Sequence, residues 1–209
     1  MPAAPAVNRA ALPAPADPAP ASRLHCAGCG RPPRACWCGC VRAVDNPTAL
    51  LILQDPQEQH QAKGTAALLL RCLRRVECRV GERFEPPASL QGLALLYPET
   101  PGDLALLAPP PWPARPPHTL VLLDGTWRKS RRLLYLNPWL QQLPRLALQA
   151  PPPSRYAIRR ADAPRQRSSL EAAALALAQL EQASARYAPL WQAMDAFIAL
   201  QQDLAARGR

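Results

Sequence analysis

The chain has 209 residues, a formal net charge of +10 at pH 7 and 48% hydrophobic residues. That length carries one full domain with appendages rather than two independent cores. No apolar run approaches the roughly 20 residues a membrane-spanning helix needs. Residues 1–21 lack the compact apolar core of a secretory signal, so the sequence reads as soluble and cytoplasmic. Of its 25 basic residues only Lys63 and Lys129 are lysines. GC-rich coding would give the same bias, along with 27 prolines and abundant alanine, so the arginine preference alone is not read as function.

Residues 1–22 have no hydrophobic period, and their Ala-Pro steps disfavour a helix, which predicts a disordered tail. Residues 23–42 hold five of the seven cysteines within fifteen positions. In a cytoplasmic protein, clustered thiols point to metal rather than to disulfides. Cys26 and Cys29 form C-x2-C, and Cys36 and Cys38 form C-x-C, with Gly28, Gly30, Pro32 and Pro33 bending the chain between them. Four such thiolates suit one tetrahedral Zn2+, structural because the protein saturates every position. Cys40 and His25 are spares, either of which could replace one of the four.

Residues 43–209 form the main domain. Ala49 to Gln54 reads as a buried strand, followed by a helix from about Glu58 to Leu73 with Ala66, Leu69, Leu70 and Leu73 on one face. Cys72 and Cys78 read as small core residues, and His60 as a solvated helix residue. Gly92 to Leu96 is the next strand, ending in Tyr97-Pro98-Glu99-Thr100-Pro101, a turn at a strand's carboxyl edge where ligands sit. The proline-dense segment 109–117 leads into Thr119 to Leu123, a short apolar run suited to burial on both faces. Asp124 follows at that strand's end, then Gly125, then Thr126 as an N-cap for a helix starting near Trp127.

From Arg128 to Arg167 there are ten basic residues against Asp162 alone, a net +9 out of the chain's +10. Arg128, Arg131, Arg132 and Tyr135 recur at helical spacing and form a basic stripe, which points to a polyanion lying across it. Leu143 to Leu148 reads as a short strand. Ser154-Arg155-Tyr156-Ala157-Ile158-Arg159-Arg160 then mixes phosphate-binding groups with a stacking ring, as looped RNA requires, and makes Arg155, Tyr156 and Arg159 candidate RNA contacts. Ser168 and Glu171 have capping-box spacing and open an apolar helix. Two helices reaching about Ala206 cover the sheet. The alternation of strands and helices predicts an α/β fold with a mostly parallel sheet.

Asp124-Gly125-Thr126-Trp127 resembles the signature of the DTW-domain family. The cysteine pattern is similar to that family's N-terminal cysteines, and Pro56-x-Glu58, Thr65, Ser154-x-Tyr156-x-Ile158-Arg159 and Ser169-Leu170-Glu171-Ala172 continue the resemblance. Asp55 stands where many relatives carry His, and Gly64 precedes Thr65, so no catalytic role is assigned there. The resemblance implies a tRNA-uridine aminocarboxypropyltransferase using S-adenosylmethionine, and a SPOUT-like fold with a C-terminal trefoil knot. It implies Asp124 as base or imide-orienting group, with Thr126 and Trp127 beside it. Tyr97, Pro98, Glu99, Gly125, Ser169 and Glu171 would lie against the cofactor, with the amino end of the last-named pair's helix facing its carboxylate. Two alternatives remain open: an S-adenosylmethionine-dependent RNA methyltransferase, and a non-catalytic zinc RNA-binding protein. Partners are thus tRNA and S-adenosylmethionine, with no membrane and with the oligomeric state undetermined.

Overall fold

A computed structural model describes residues 25–59, 61, 63–100, 103, 106–156 and 167–207. The tail at 1–22, His60 and Arg159 therefore lie outside the described residues. Five strands, β1 (Ala49–Gln54), β2 (Val76–Val80), β3 (Leu93–Leu96), β4 (Thr119–Asp124) and β5 (Arg145–Leu146), form one sheet in the order β2-β1-β4-β3-β5. Every pairing in it is parallel. β1, β3 and β4 are buried on both faces, which is why they read as unbroken apolar runs. β2 sits at an edge and carries Glu77 and Arg79 outward, charges that discourage pairing with another chain.

Side-chain alternation divides the core into two halves. Leu50, Ile52, Leu120, Leu122, Ala94 and Leu96 face α1 (Ala66–Cys72), α3 (Ser169–Glu181) and α4 (Ala188–Arg207). Leu51, Leu53, Val121, Leu123, Leu93 and Leu95 face α2 (Trp127–Leu136), through Leu133 and Leu134. α1 follows β1 toward β2, whereas α2 follows β4 toward β5 in the opposite direction across the sheet. Right-handed crossovers in opposite directions put the helices on opposite faces, and the chain reverses direction between β1 and β4.

The predicted helix from Glu58 to Leu73 is shorter than expected. Pro56–Glu58 is a single 3-10 turn capped by Asp55, and α1 starts only after Gly64 and Thr65. Its buried face is Ala66, Leu68, Leu69 and Cys72, while Leu70 is exposed. The period shifts because the packed helix is only two turns long. The strand expected over Leu143 to Leu148 contracts to Arg145–Leu146, paired with β3. Ser168 does form a capping box with Glu171. No helix among the described residues is long and apolar enough to cross a membrane.

Asn46 ties the segment before β1 to the one before β2. Its Nδ2 donates to the Thr48 and Arg75 carbonyls at 2.7 and 2.9 Å, and its Oδ1 accepts from the Arg74 and Arg75 N–H groups at 3.0 and 3.1 Å. The side chain is fully buried, so removing it strands several backbone groups without water. Asn46→Leu is expected to cost about 3 kcal/mol, read as a lower urea midpoint at unchanged slope.

Candidate functional site

Parallel pairing brings the ends of β1 and β4 level, with Gln54 opposite Asp124. This is the reversal point of the sheet at its carboxyl edge, where open α/β sheets hold ligands. Asp124 is 7% exposed. Gln54 Nε2 donates to its Oδ2 at 2.7 Å, and the Ser169 hydroxyl, from the first turn of α3, donates to its Oδ1. A buried carboxylate is tolerated only when its lone pairs are engaged, so β1 and α3 together hold this one in place. Cys78, on the same half of the sheet, is pushed up to about 11 by burial and by the charge of Asp124. That suits a core thiol and not a nucleophile.

The other side of the edge carries Asp55 and Glu58, to which the sequence assigned no catalytic role, and Lys129, which it did not single out. Asp55 donates its N–H to the Asp124 carbonyl at 3.0 Å, and Glu58 lies one turn further on. Lys129 Nζ stands 2.7 Å from Glu58 Oε1 and 3.7 Å from Asp55 Oδ1, with the lysine side chain 18% exposed and the carboxylates nearly buried. Gly125 fits between them, since a Cβ there would come within 2.9 Å of the Lys129 Cβ. The available signal was Asp55-Pro56-Gln57-Glu58 directly following a buried strand, the same logic that singled out Asp124. Lys129 was submerged in a count of positive charge, although it is one of only two lysines.

Thr126 caps α2 through its side-chain oxygen, which accepts from the Lys129 N–H. Trp127, half exposed, stacks on buried Tyr97 at 5.3 Å between ring centroids and 14° between planes. Arg145 lies 5.6 Å over the Tyr97 ring and donates to Thr100 Oγ1 at 3.1 Å, so Tyr97 carries both a cation and an indole against its ring at the carboxyl edge of the sheet. Pro98 and Glu99 are exposed next to it. Tyr97, Gly125, Trp127 and Ser169 are therefore brought to the Asp124 edge.

Other expected contacts are placed differently. The Glu171 carboxylate is buried and accepts from Ser154 Oγ, the Arg155 N–H and both Ser168 N–H and Oγ, which locks the 154–155 segment onto α3. The Leu170 N–H donates to Thr65 Oγ1 and the Glu171 N–H to Ser168 Oγ, so these two donors at the start of α3 are engaged internally and do not offer an anion site. Tyr156 is core: its ring is buried and its hydroxyl donates to the Lys63 carbonyl, so it does not present a stacking face. In the basic stripe, Arg128 is exposed, Arg131 pairs with Asp103 at 2.8 Å, and Arg132 donates to Glu82 Oε2 at 2.9 Å. Arg155 pairs with Asp195 at 2.7 Å and lies over Trp191.

At the amino end, the Sγ atoms of Cys26, Cys29, Cys36 and Cys38 all lie within 4.8 Å of one another. The Cys26–Cys38 and Cys29–Cys36 separations are 3.7 Å, close to the roughly 3.8 Å edge of a tetrahedron with Zn–S bonds of about 2.3 Å. These four thiols can hold a metal ion. Gly28 keeps the cradle open, as a Cβ there would sit 2.9 Å from Cys38 Sγ. Cys40 is buried in the core beside Trp37, and His25 is exposed outside the cluster.

A parallel α/β domain with a held carboxylate at its reversal point, joined to a cluster of four cysteines that can hold a metal ion, defines the class. The DTW domain model matches residues 23–202, and the chain belongs to the DTW domain family. It is 32% identical over 182 residues to tRNA-uridine aminocarboxypropyltransferase 2 of Macaca fascicularis, covering 80% of this chain and 59% of that protein. The Mus musculus protein of the same name is 32% identical over 174 residues, covering 76% and 57%. The Drosophila melanogaster one is 36% identical over 182 residues, covering 79% and 70%. The chain thus spans under two thirds of the length of the two mammalian relatives. No solved structure gives a significant match.

Lys129→Met would leave two buried carboxylates without their cation, and is expected to lower stability by about 2–3 kcal/mol. Lys129→Met combined with Glu58→Gln should recover part of the loss in urea unfolding. A double variant no better than the single one would show that the lysine acts through packing alone.

Proposed function

We propose that this chain transfers the 3-amino-3-carboxypropyl group of S-adenosylmethionine to N3 of a tRNA uridine, forming aminocarboxypropyluridine and releasing methylthioadenosine. The observation that carries the reading is Asp124, buried at the reversal point and fixed through both oxygens, at the sheet edge that also carries the exposed Trp127. The curated relatives are named as tRNA-uridine aminocarboxypropyltransferases, which is consistent with this reading. S-adenosylmethionine supplies a sulfonium leaving group that needs no acid.

The protein has to deal with the imide proton. A bond forms between N3 and the propyl carbon, the carbon–sulfur bond breaks, and the N3 proton leaves. Asp124 takes or orients that proton, and Gln54 and Ser169 keep its carboxylate at the sheet edge so that little reorganisation accompanies transfer. Thr126 secures the turn that presents it. Trp127 walls the pocket, and its stack on Tyr97 fixes the indole before substrate arrives. An unpaired uridine fits because its N3 is free of pairing and the base can leave the stack.

Tyr97, Pro98, Glu99, Gly125 and Ser169 are the proposed S-adenosylmethionine neighbours, and Glu171 acts behind them by holding the 154–155 segment. Arg128, Arg131, Arg132, Arg155 and Arg159 are the proposed phosphate contacts. Arg131, Arg132 and Arg155 must exchange a carboxylate for a phosphate to do so. A SPOUT-like arrangement with a C-terminal trefoil knot belongs to the same proposal. It is supported by β4 lying between β1 and β3 and by α3 returning to the Asp124 edge. Residues 23–42 form a knuckle around one structural zinc ion, and residues 43–209 the catalytic domain.

Incubation with S-adenosylmethionine and unmodified bulk tRNA should yield aminocarboxypropyluridine and methylthioadenosine by mass spectrometry. A methyl increment instead would make the protein a methyltransferase. Asp124→Asn should lower the rate at least about 100-fold with tRNA affinity retained; full activity would remove Asp124 from the chemistry. The purified protein should carry one zinc per chain, and Cys36→Ser should lose it together with several degrees of melting temperature. Retention of zinc by that variant would reassign the ligands.

A further inference from the structure

The face built by the cysteine knuckle and the carboxyl end of α1 gathers arginines that the Asp124 site does not use. Arg34, Arg42, Arg71, Arg74 and Arg75 are all exposed. Two chain segments run side by side here. The Val44 N–H donates to the Cys72 carbonyl at 2.7 Å, and the Arg74 N–H to the Val44 carbonyl at 3.1 Å. The Arg42 N–H reaches Cys72 Sγ at 3.4 Å, and Arg71 Nη1 reaches the Gly28 carbonyl at 2.6 Å, which joins the knuckle to the same surface.

Three of these guanidinium groups, on Arg42, Arg71 and Arg75, are held by carbonyls rather than by carboxylates. Arg42 donates to the Gly39 and Val41 carbonyls at 2.8 and 2.9 Å, Arg71 to Gly28, and Arg75 to Pro47. Among the described residues, the ion pair on this face is Arg74 with Asp45 at 3.7 Å, whose side chains are 77% and 78% exposed. A pair that open contributes little and neutralises little. On α2, by contrast, Arg131 and Arg132 both carry carboxylate partners, and Arg128 is exposed. A carbonyl fixes the orientation of a guanidinium while leaving donors of its five-pronged fork for another acceptor.

We propose that this face docks the sugar-phosphate backbone of the RNA substrate, at a distance from the reacting base; the inference rests on the RNA-modifying reading above. The Leu50 N–H donates to the Arg75 carbonyl at 2.9 Å, which puts the face at the amino edge of the sheet. Gln54, beside Asp124, ends the same strand at the other edge. The rise from Ala49 to Gln54 is about 17 Å, so a nucleotide held at Asp124 does not reach the arginines. A folded RNA with helical arms spans both places. The face therefore distinguishes tRNA from a short strand carrying the same uridine.

The test compares the wild-type chain with Arg74→Gln/Arg75→Gln and with Arg74→Lys/Arg75→Lys. Binding of unmodified tRNA and of a uridine oligonucleotide a few residues long is measured across a salt series, and tRNA turnover at steady state. The glutamine variant should bind tRNA about 10-fold more weakly, with KM raised, kcat unchanged and the log–log salt slope reduced by about 1–2. Its oligonucleotide affinity should not change. The lysine variant, which keeps the charge and loses the planar fork, should recover most tRNA binding. Unchanged tRNA affinity and slope overturn the proposal. So does an equal loss with the oligonucleotide, or a loss that lysine does not restore. A wild-type chain whose tRNA binding depends on Arg74 and Arg75, yet which forms no aminocarboxypropyluridine, would instead refute the proposed reaction and leave the docking face standing.

Discussion

The structure depends on the parallel pairing of β1 with β4. Their register runs from Ala49 opposite Thr119 to Gln54 opposite Asp124, and the ladder continues one step further through the Asp55 N–H to the Asp124 carbonyl. Because the two strands send their helices to opposite faces, no crossover covers the gap where they end. Side-chain alternation then sends Asp124 and Gln54 toward α3, and Asp55 toward Lys129 on α2. A one-residue slip in this pair would exchange the faces and dismantle both polar groups at once.

Polar side chains at the edge are expensive to bury, and each is matched to a partner from a different part of the chain. Asp124 draws on residues 54 and 169, Glu58 on residue 129, and Thr65 on the backbone of residue 170. These contacts span 45 to 105 positions in sequence. The site therefore assembles only when α3 docks, and its rigidity is a property of the whole fold. Tyr97 shows the remaining cost: among the described residues its hydroxyl is buried without a hydrogen-bond partner, and burial raises its pKa, so the phenol contributes its ring to contacts with Arg145 and Trp127.

Local features were legible in the sequence. The cysteine spacing, the strand ending at Asp124, the Thr126 cap and the Ser168–Glu171 capping box all follow from residue types a few positions apart. The unbroken apolar runs were legible as well, because β1, β3 and β4 are buried on both faces. What could not be read were partnerships across the fold. Nothing in Gln54 announces that it will hold a carboxylate 70 residues away. Glu58 and Lys129 looked like parts of a helix face and a charge run. Tyr156, in a segment with the composition of an RNA-binding loop, is core because its hydroxyl finds the Lys63 carbonyl and its ring fills the α1–α3 side of the sheet. Composition describes which contacts a residue can make, and the fold decides which of them it makes.

Electrostatics make the same point on a larger scale. Counted along the chain, the positive charge is concentrated after residue 127. In space, much of it is answered: Lys129 by Glu58, Arg131 by Asp103, Arg132 by Glu82, Arg155 by Asp195. The carboxylates come from turns after β1, β2 and β3 and from α4, all distant in sequence. The three arginine pairs, unlike Lys129–Glu58, are largely open to solvent, contribute little to stability and are screened by salt. Their consequence is for the field: a phosphate approaching Arg131 or Arg132 on α2 has to displace an acidic partner, whereas one approaching Arg42, Arg71 or Arg75 meets guanidinium groups bound to carbonyls. Net charge thus identifies that a polyanion is favoured, and the distribution of carboxylates determines where it is held.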